Sequence, residues 1–453
     1  MSSVKNKIIN GTLILSIANF VMRFFSFLTI FIVVRALSVF EYGLFTLFMS
    51  LTGPVNSFSS MGMDELVLSD VSRSLGSGGY KRAKSILLHF FRIRFLILFC
   101  ILLLALIFRH QVEIKYGTEV IQYFWLFVFL VLVQYLRNIY AIIFQIHEKF
   151  KNISLLNVLE VFIKFLFVVF FYYFWTLSVT TLIIAYVAGT AFSVLIFTPS
   201  IFKTIKYLLK VGHEKVDIVY QIFKHHGKWQ TGLNLISGST NTIKYWLIKV
   251  ILSTEAVGIL SLAQSLYSVV ASVLPLKTVI FPIIAKKLND RYLLQHILQK
   301  VTKYSLIIYG FVIIGSLSVV VPLIPYVFPK YIAAIPIFQL LSFKLLFNAF
   351  SITQSPVLFA YKDQKFLFMA GIVTLFSILI LSPFLMLYFG LLGTIIESLI
   401  TTFLIVFLRE LYLRKKYGLQ SIGLKSFFRI DDYDKYIIHY FFKKITNKLW
   451  LRS

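Results

Sequence analysis

The chain has 453 residues, of which 59% are hydrophobic and 14% charged, with 48 Phe among them. That balance excludes a soluble globular protein, in which about a quarter of residues are charged. A formal net charge of +27 would suggest nucleic acid in a soluble chain, but here the placement of the charges, given below, points to a membrane surface and no nucleic-acid partner.

Twelve apolar segments follow one another, at roughly 11–34, 42–68, 86–108, 119–146, 153–174, 178–201, 229–251, 255–281, 301–325, 332–360, 366–388 and 390–411. Each is long enough to cross a bilayer as a helix, because lipid offers a backbone group no partner outside the helix itself. The opening SSVKNK leads into an apolar run too long for a cleaved signal and without a small-residue exit, so the first segment is expected to stay in the membrane. Lys and Arg gather at the N-terminus, in the even-numbered loops and at the C-terminus. Opposite them lie Arg35, Arg109, Lys115, Lys249 and Lys330. This bias puts both termini in the cytoplasm. Trp125, Trp175, Trp229 and Trp246 map near segment ends, as an interfacial aromatic belt requires. The single Cys100 falls inside the third span and reads as a small hydrophobe.

The second six segments repeat the first six at an offset of about 215 positions. VRALSVFEYGLF near Arg35 answers KVILSTEAVGIL near Lys249, with Leu37, Ser38 and Gly43 matching Leu252, Ser253 and Gly258. Lys115-Tyr116, Lys149-Phe150 and Tyr173-Phe174 answer Lys330-Tyr331, Lys365-Phe366 and Tyr388-Phe389. An even number of helices per half leaves both halves the same way up, so the repeats are expected to be related by an axis along the membrane normal. The expected organisation is an N-terminal six-helix lobe with its linker over 1–215, a second lobe over 216–411, and a basic tail over 412–453. The basic, amphipathic stretch 202–229 reads as cytoplasmic surface helices joining the lobes. In the tail, Ile438, Phe441, Phe442, Ile445 and Leu449 share one helical face flanked by Lys443, Lys444, Lys448 and Arg452, which suits an interfacial helix; a mobile basic tail is the alternative. Eight of the ten prolines lie in the second half, which is therefore expected to hold the more broken helices.

Polar residues inside a membrane must face other helices or water, so their spacing marks the interior face. Ser16, Asn19, Arg23 and Ser26 of the first span share their spacing with Asn234, Ser237, Asn241 and Lys244 of the seventh. The second carries Thr46, Ser50, Ser57, Ser60 and Asp64, with a kink expected at Gly53-Pro54. The eighth carries Ser261, Ser265, Ser268 and Ser272, and the tenth Lys344, Asn348, Ser351 and Ser355. A hydrophilic chamber between two lobes explains these stripes together, while hydrogen bonding between helices explains any one hydroxyl alone. Arg23, Arg137, Lys164, Lys244 and Lys344 lie inside spans; Arg92, Arg94 and Arg409 lie close enough to cytoplasmic ends to snorkel, and Lys277 is intermediate. Against them stand Asp64, Glu160 and Glu397, and the i,i+4 spacing of Glu160 and Lys164 predicts a neutralising pair. The chamber is then net cationic and suited to an anionic ligand, which Arg grips bidentately and Lys as a point charge.

Other motifs do not carry chemistry. Gly76-Ser77-Gly78-Gly79-Tyr80-Lys81 lacks phosphate-loop spacing and a preceding strand. His213-Glu214 and His225-His226 lack the spacing of a metal site, and no cofactor is expected. Without a nucleotide-hydrolysing module, any movement is expected to draw on a gradient, membrane potential or mass action.

VRALSVFEYGLFTL, through Arg35, Leu37, Glu41, Tyr42 and Gly43, resembles the signature that follows the first helix of Wzx-type polysaccharide flippases. These belong to the multidrug, oligosaccharidyl-lipid and polysaccharide exporter superfamily. The Lys-rich YKRAK (80–84) and the duplicated twelve-helix plan are similar as well, so the resemblance spans nearly the whole chain. Ser38 departs from it, where the family often has Gly. The resemblance implies an all-α integral membrane protein with about 12 transmembrane helices in two parallel six-helix lobes around a central hydrophilic cavity, a MATE-like body. It implies a non-enzymatic flippase in the bacterial inner membrane. Its cargo would be an undecaprenyl-diphosphate-linked oligosaccharide, an O-antigen or capsule repeat unit, and its partners membrane lipids, a polysaccharide polymerase and a chain-length regulator. Beside that implied cargo, Arg23, with Lys244 and Lys344, is expected to hold the diphosphate; Arg137, Asn19, Asn234 and Asn241 are the further expected substrate-binding residues, and Asp64 and Glu397 the candidates for ion coupling. Two alternatives share the architecture. A cation-coupled drug exporter would want an acid-rich chamber, and a membrane-embedded glycan polymerase a large outer loop.

Overall fold

Helices carry nearly all of the residues described in this computed structural model, which are 2–116, 122–210, 212, 228–272, 284 and 290–422, and no strand occurs among them. In order they are α1 (Ser2–Ala36), α2 (Val39–Ser50), α3 (Thr52–Ser60), α4 (Asp64–Gly76), α5 (Tyr80–Ile107), α6 (Arg109–Tyr116), α7 (Phe124–Ile146), α8 (Phe150–Phe174), α9 (Val179–Lys210), α10 (Lys228–Ile251), α11 (Thr254–Ala271), α12 (Arg291–Val327), α13 (Ala334–Ala360), α14 (Gln364–Phe376), α15 (Ser382–Phe389) and α16 (Leu391–Tyr417). Ten helical stretches among the described residues are long and apolar enough to span a membrane. The two further expected spans are helical too. The second is divided between α2 and α3, and the seventh, α10, carries a polar face. Lys277, most of the 202–229 link and the tail face from Ile438 to Arg452 lie outside the described residues.

Local chemistry sets the breaks. The turn before α2 is closed by a capping box: Glu41 N–H donates to Ser38 Oγ at 3.2 Å, and Ser38 N–H donates to the Glu41 carboxylate at 2.8 Å. Ser38 therefore does work that a Gly at this position cannot, and Ser38→Ala is expected to cost about 1 kcal/mol in a thermal-unfolding comparison. The expected kink at Gly53-Pro54 appears as a break at Leu51. Pro54 then falls in the first turn of α3, where its missing N–H has no helical partner to lose. The second-half irregularity appears as Pro322 and Pro325 within α12, Pro356 within α13, and a π-helical turn, Ser377–Leu381, between α14 and α15. Pro383, just beyond, cannot donate the next α-helical hydrogen bond.

The helices form two compact units. One comprises Met1–Val269, Val320–Leu341 and Gln364–Ser398. Within it α1 packs on α8, α9 on both α7 and α8, α4 on α5, and α10 on α3 and α14. The duplication is visible here as a physical contact. Thr46 Oγ1 donates to Ser261 Oγ at 3.0 Å, between positions 215 apart. A Cβ at Gly43 would lie 2.0 Å from the Thr254 carbonyl oxygen, and one at Gly258 2.3 Å from that of Val39. Equivalent residues of α2 and α11 thus meet backbone to backbone. Lys330 donates to the Arg35 and Leu37 carbonyls at the end of α1 (3.4 and 3.3 Å), which leaves less of that helix end unpaired.

The other unit comprises Val270–Val319, Ser342–Asp363 and Leu399–Ser453. Its described helices α12, α13 and α16 are joined by polar contacts. Thr302 and Thr353 share a hydrogen bond of 2.9 Å, Gln354 donates to Glu410 at 3.0 Å, and Arg409 donates to Ser355 at 2.9 Å. Lys416 pairs with Asp363 at 2.6 Å, beside a stacked Tyr361–Tyr417 pair.

Candidate functional site

A cavity of about 580 Å³ opens in the first unit between α3, the turn into α4, α5, α7 and α10. Seven of its thirteen lining residues carry an amide or a hydroxyl. Asn138 donates to Asn56 at 3.1 Å, and Asn56 in turn to Gln134 at 3.3 Å. Asn234 is fixed by donating to the Gly62 carbonyl at 3.1 Å and accepting from Gln230 at 3.2 Å. Ser57, Ser60, Gln145 and Ser237 complete the polar wall. Such a surface offers paired donors and acceptors with little fixed charge, which is what clustered hydroxyl groups require.

The charge in the cavity wall is an ion pair. Arg94 of α5 donates from Nη1 to Asp64 Oδ1 at 2.8 Å, with 2% of the arginine side chain exposed against 43% of the aspartate's. The guanidinium lies 6.0 and 5.9 Å from the Phe90 and Tyr135 rings, and its buried Nε–H has no hydrogen-bond acceptor among the described residues. Two further clusters sit deeper. Glu160 accepts from Arg137 at 2.9 Å and from Lys164 at 2.6 Å, and takes the Thr190 hydroxyl at 3.2 Å. The predicted i,i+4 pair therefore forms, with Arg137 as a second cation that leaves the cluster one positive charge in excess. Arg137 also reaches Asn138 of the cavity wall at 3.4 Å. Lys244 lies 3.6 Å from Glu397 and donates to the Thr394 carbonyl at 3.0 Å, while Ser377 donates to Glu397 at 2.9 Å.

Of the residues expected to form the site, Asn234 and Asp64 line the cavity. Arg137 stands one hydrogen bond behind it, and Lys244 and Glu397 satisfy each other in a separate buried pair. Arg23 and Asn19 are exposed on α1, and Asn241 is exposed on α10. Lys344 is half-buried on α13 in the other unit. Asp64 and Glu397, the expected ion-coupling acids, each hold a cation from a distant segment, Arg94 and Lys244 respectively. Arg94, read from sequence as a snorkelling residue, is instead buried at the cavity. The usable signal was the true start of α5 at Tyr80, which sets Arg94 about 21 Å along the helix.

A duplicated bundle of apolar helices with a polar cavity and a surplus of buried cations defines a multi-pass membrane protein. The chain belongs to the polysaccharide biosynthesis protein family, whose model matches residues 8–288. Its fold is similar to that of the lipid II flippase MurJ in an inward closed conformation, with a TM-score of 0.71 at 17% identity over 92% of this chain and 89% of that one. An inward-facing multidrug resistance MATE family transporter of the MOP superfamily gives a TM-score of 0.69 at 14% identity, covering 87% of this chain and 94% of that one. A MOP superfamily transporter from Pyrococcus furiosus, described as having a binding pocket of reverse polarity, gives 0.55 at 14% identity, covering 91% and 96%. No curated protein sequence matches the chain.

Proposed function

We propose that the protein flips lipid-linked oligosaccharide repeat units, of O-antigen or capsule type on undecaprenyl diphosphate, from the cytoplasmic to the outer leaflet by alternating access. It acts in the bacterial inner membrane with both termini in the cytoplasm, without catalysing a covalent step, and hands its cargo to a polysaccharide polymerase and chain-length regulator. The two lobes, 1–215 and 216–411, are the bodies that move. The observation that carries this reading is the cavity itself: an amide- and hydroxyl-lined space with a buried arginine, in a chain of the polysaccharide biosynthesis family. Sugar hydroxyls match the amides and a diphosphate matches the cation. A carrier of cationic drugs gains nothing from interior cations that outnumber the acids.

The test is to delete the gene in its host and locate the lipid-linked glycan by leaflet, with wild type and the cavity-wall variant Asn138→Leu added back. Wild type is expected to release units trapped on the cytoplasmic side, and Asn138→Leu, at equal protein level, to leave most of them there. Single unpolymerised units on the outer side would indicate a polymerase, and unchanged glycan with new drug sensitivity an exporter. Full transport by a folded Asn138→Leu would remove the amide wall from the site.

A further inference from the structure

We propose that Arg94 is the residue of the cavity that grips the diphosphate of a lipid-borne substrate, and that Asp64 is the counter-ion it exchanges for that diphosphate; this rests on the flippase reading above. The two partners of the pair are held very differently. Arg94 has 2% of its side chain exposed, is flanked by the rings of Phe90 and Tyr135, and has no freedom to follow a departing partner. Asp64 is the first residue of α4, has 43% of its side chain exposed, and is held besides Arg94 by the Ser60 hydroxyl, so it is much the freer of the two to turn toward water. An arginine left buried without an anion would be costly, so the release of Asp64 requires another anion to take its place.

The guanidinium is also under-used. Among the described residues Asp64 accepts from Nη1, while the buried Nε–H is without an acceptor. A guanidinium presents five N–H donors in a planar fork that matches two phosphate oxygens at once. A diphosphate therefore offers Arg94 more than a single carboxylate contact does, and the exchange runs toward substrate when substrate is present.

The same two helices indicate that the anion comes attached to lipid. Where α5 and α7 leave the polar cavity, at Arg94 and Asn138, they continue into an apolar groove of about 350 Å³ walled by Phe95, Leu98, Phe99, Trp125, Val128 and Leu132. One helix pair thus carries a polar recess and an apolar track in series. This is the order of parts in a polyprenyl diphosphate and is of no use to a free phosphate.

The experiment uses the full chain in phosphatidylcholine nanodiscs, titrated with undecaprenyl diphosphate, with undecaprenol as the uncharged lipid and inorganic pyrophosphate as the free anion. Arg94→Gln is expected to weaken undecaprenyl diphosphate roughly tenfold or more and to leave undecaprenol unchanged. Arg94→Lys should fall between, since it keeps the charge and loses the fork. Asp64→Asn removes the competitor and is expected to tighten binding several-fold, an effect that a merely structural salt bridge would not produce. The double variant should bind like Arg94→Gln alone. Melting temperatures identify variants that fail to fold, and if Arg94→Gln is one of them, Arg94→Lys and Asp64→Asn still decide. Wild-type binding that ignores both substitutions, or a folded Asp64→Asn that binds more weakly, overturns the exchange and leaves the flippase reading standing. Pyrophosphate that binds as tightly as the lipid overturns the lipid-borne half. A wild-type chain that binds neither diphosphate overturns the exchange together with the flippase reading.

Discussion

Gly43→Val and Gly258→Val are each expected to prevent the protein from accumulating in membranes, or to lower its thermal midpoint steeply where it does accumulate. A side chain at Gly43 meets the Thr254 carbonyl oxygen at 2.0 Å, and one at Gly258 meets that of Val39 at 2.3 Å. Both obstacles are backbone, so no rotamer change relieves them. Overpacking of this kind costs about 3 kcal/mol or more, because two helices must move apart and give up their remaining contacts. Gly310 of α12 is the control, since nothing lies within 4 Å of its missing Cβ. Gly310→Ala is expected to be neutral or to stabilise by about 0.5–1 kcal/mol, as alanine does in a helix interior. Folded yield and melting temperature of the three variants, measured side by side, check the prediction. Equal behaviour would mean that α2 and α11 do not meet as described.

Lys244→Met is expected to destabilise strongly, by about 3–5 kcal/mol, because it leaves the Glu397 carboxylate charged, buried and without its cation. The double variant Lys244→Met/Glu397→Leu should recover most of that loss, since apolar residues of similar volume often replace a buried pair without penalty. The pair of variants also separates two roles. If the double variant folds and still exports glycan, Lys244 and Glu397 hold helices together. If it folds and export stops, the pair also belongs to the transport machinery. Thermal unfolding supplies the first measurement and the leaflet assay the second.

The sequence makes the helices and their duplication legible because both depend on patterns along the chain. Runs of apolar residues mark the spans, and matched residues near Arg35 and Lys249 mark the repeat. A two-fold relation then brings equivalent positions face to face, as the Thr46–Ser261 hydrogen bond and the opposed Gly43 and Gly258 show. The i,i+4 rule finds Glu160 and Lys164 for the same reason, since both partners lie on one helix. Arg94 with Asp64, and Lys244 with Glu397, join residues of different helices, and no periodicity reveals which helices will touch. Acids that look solitary in a span are for this reason poor evidence of a free carboxylate. The hydroxyl stripes divide similarly. Ser57, Ser60 and Ser237 face the cavity, whereas Ser261 is spent on Thr46.

The π-helical turn at Ser377–Leu381 has a bearing on Glu397 that goes beyond chain direction. A π turn holds one residue more than an α turn, so each side chain beyond it is rotated by about 100° from where an uninterrupted helix would aim it. Ser377, which donates to the Glu397 carboxylate, opens that turn. The extra residue lies between the Ser377 contact and Pro383, so the faces of α14 and α15 are offset from each other. The count of residues between Ser377 and Pro383, and not only their type, therefore fixes how the faces of α14 and α15 are turned relative to each other.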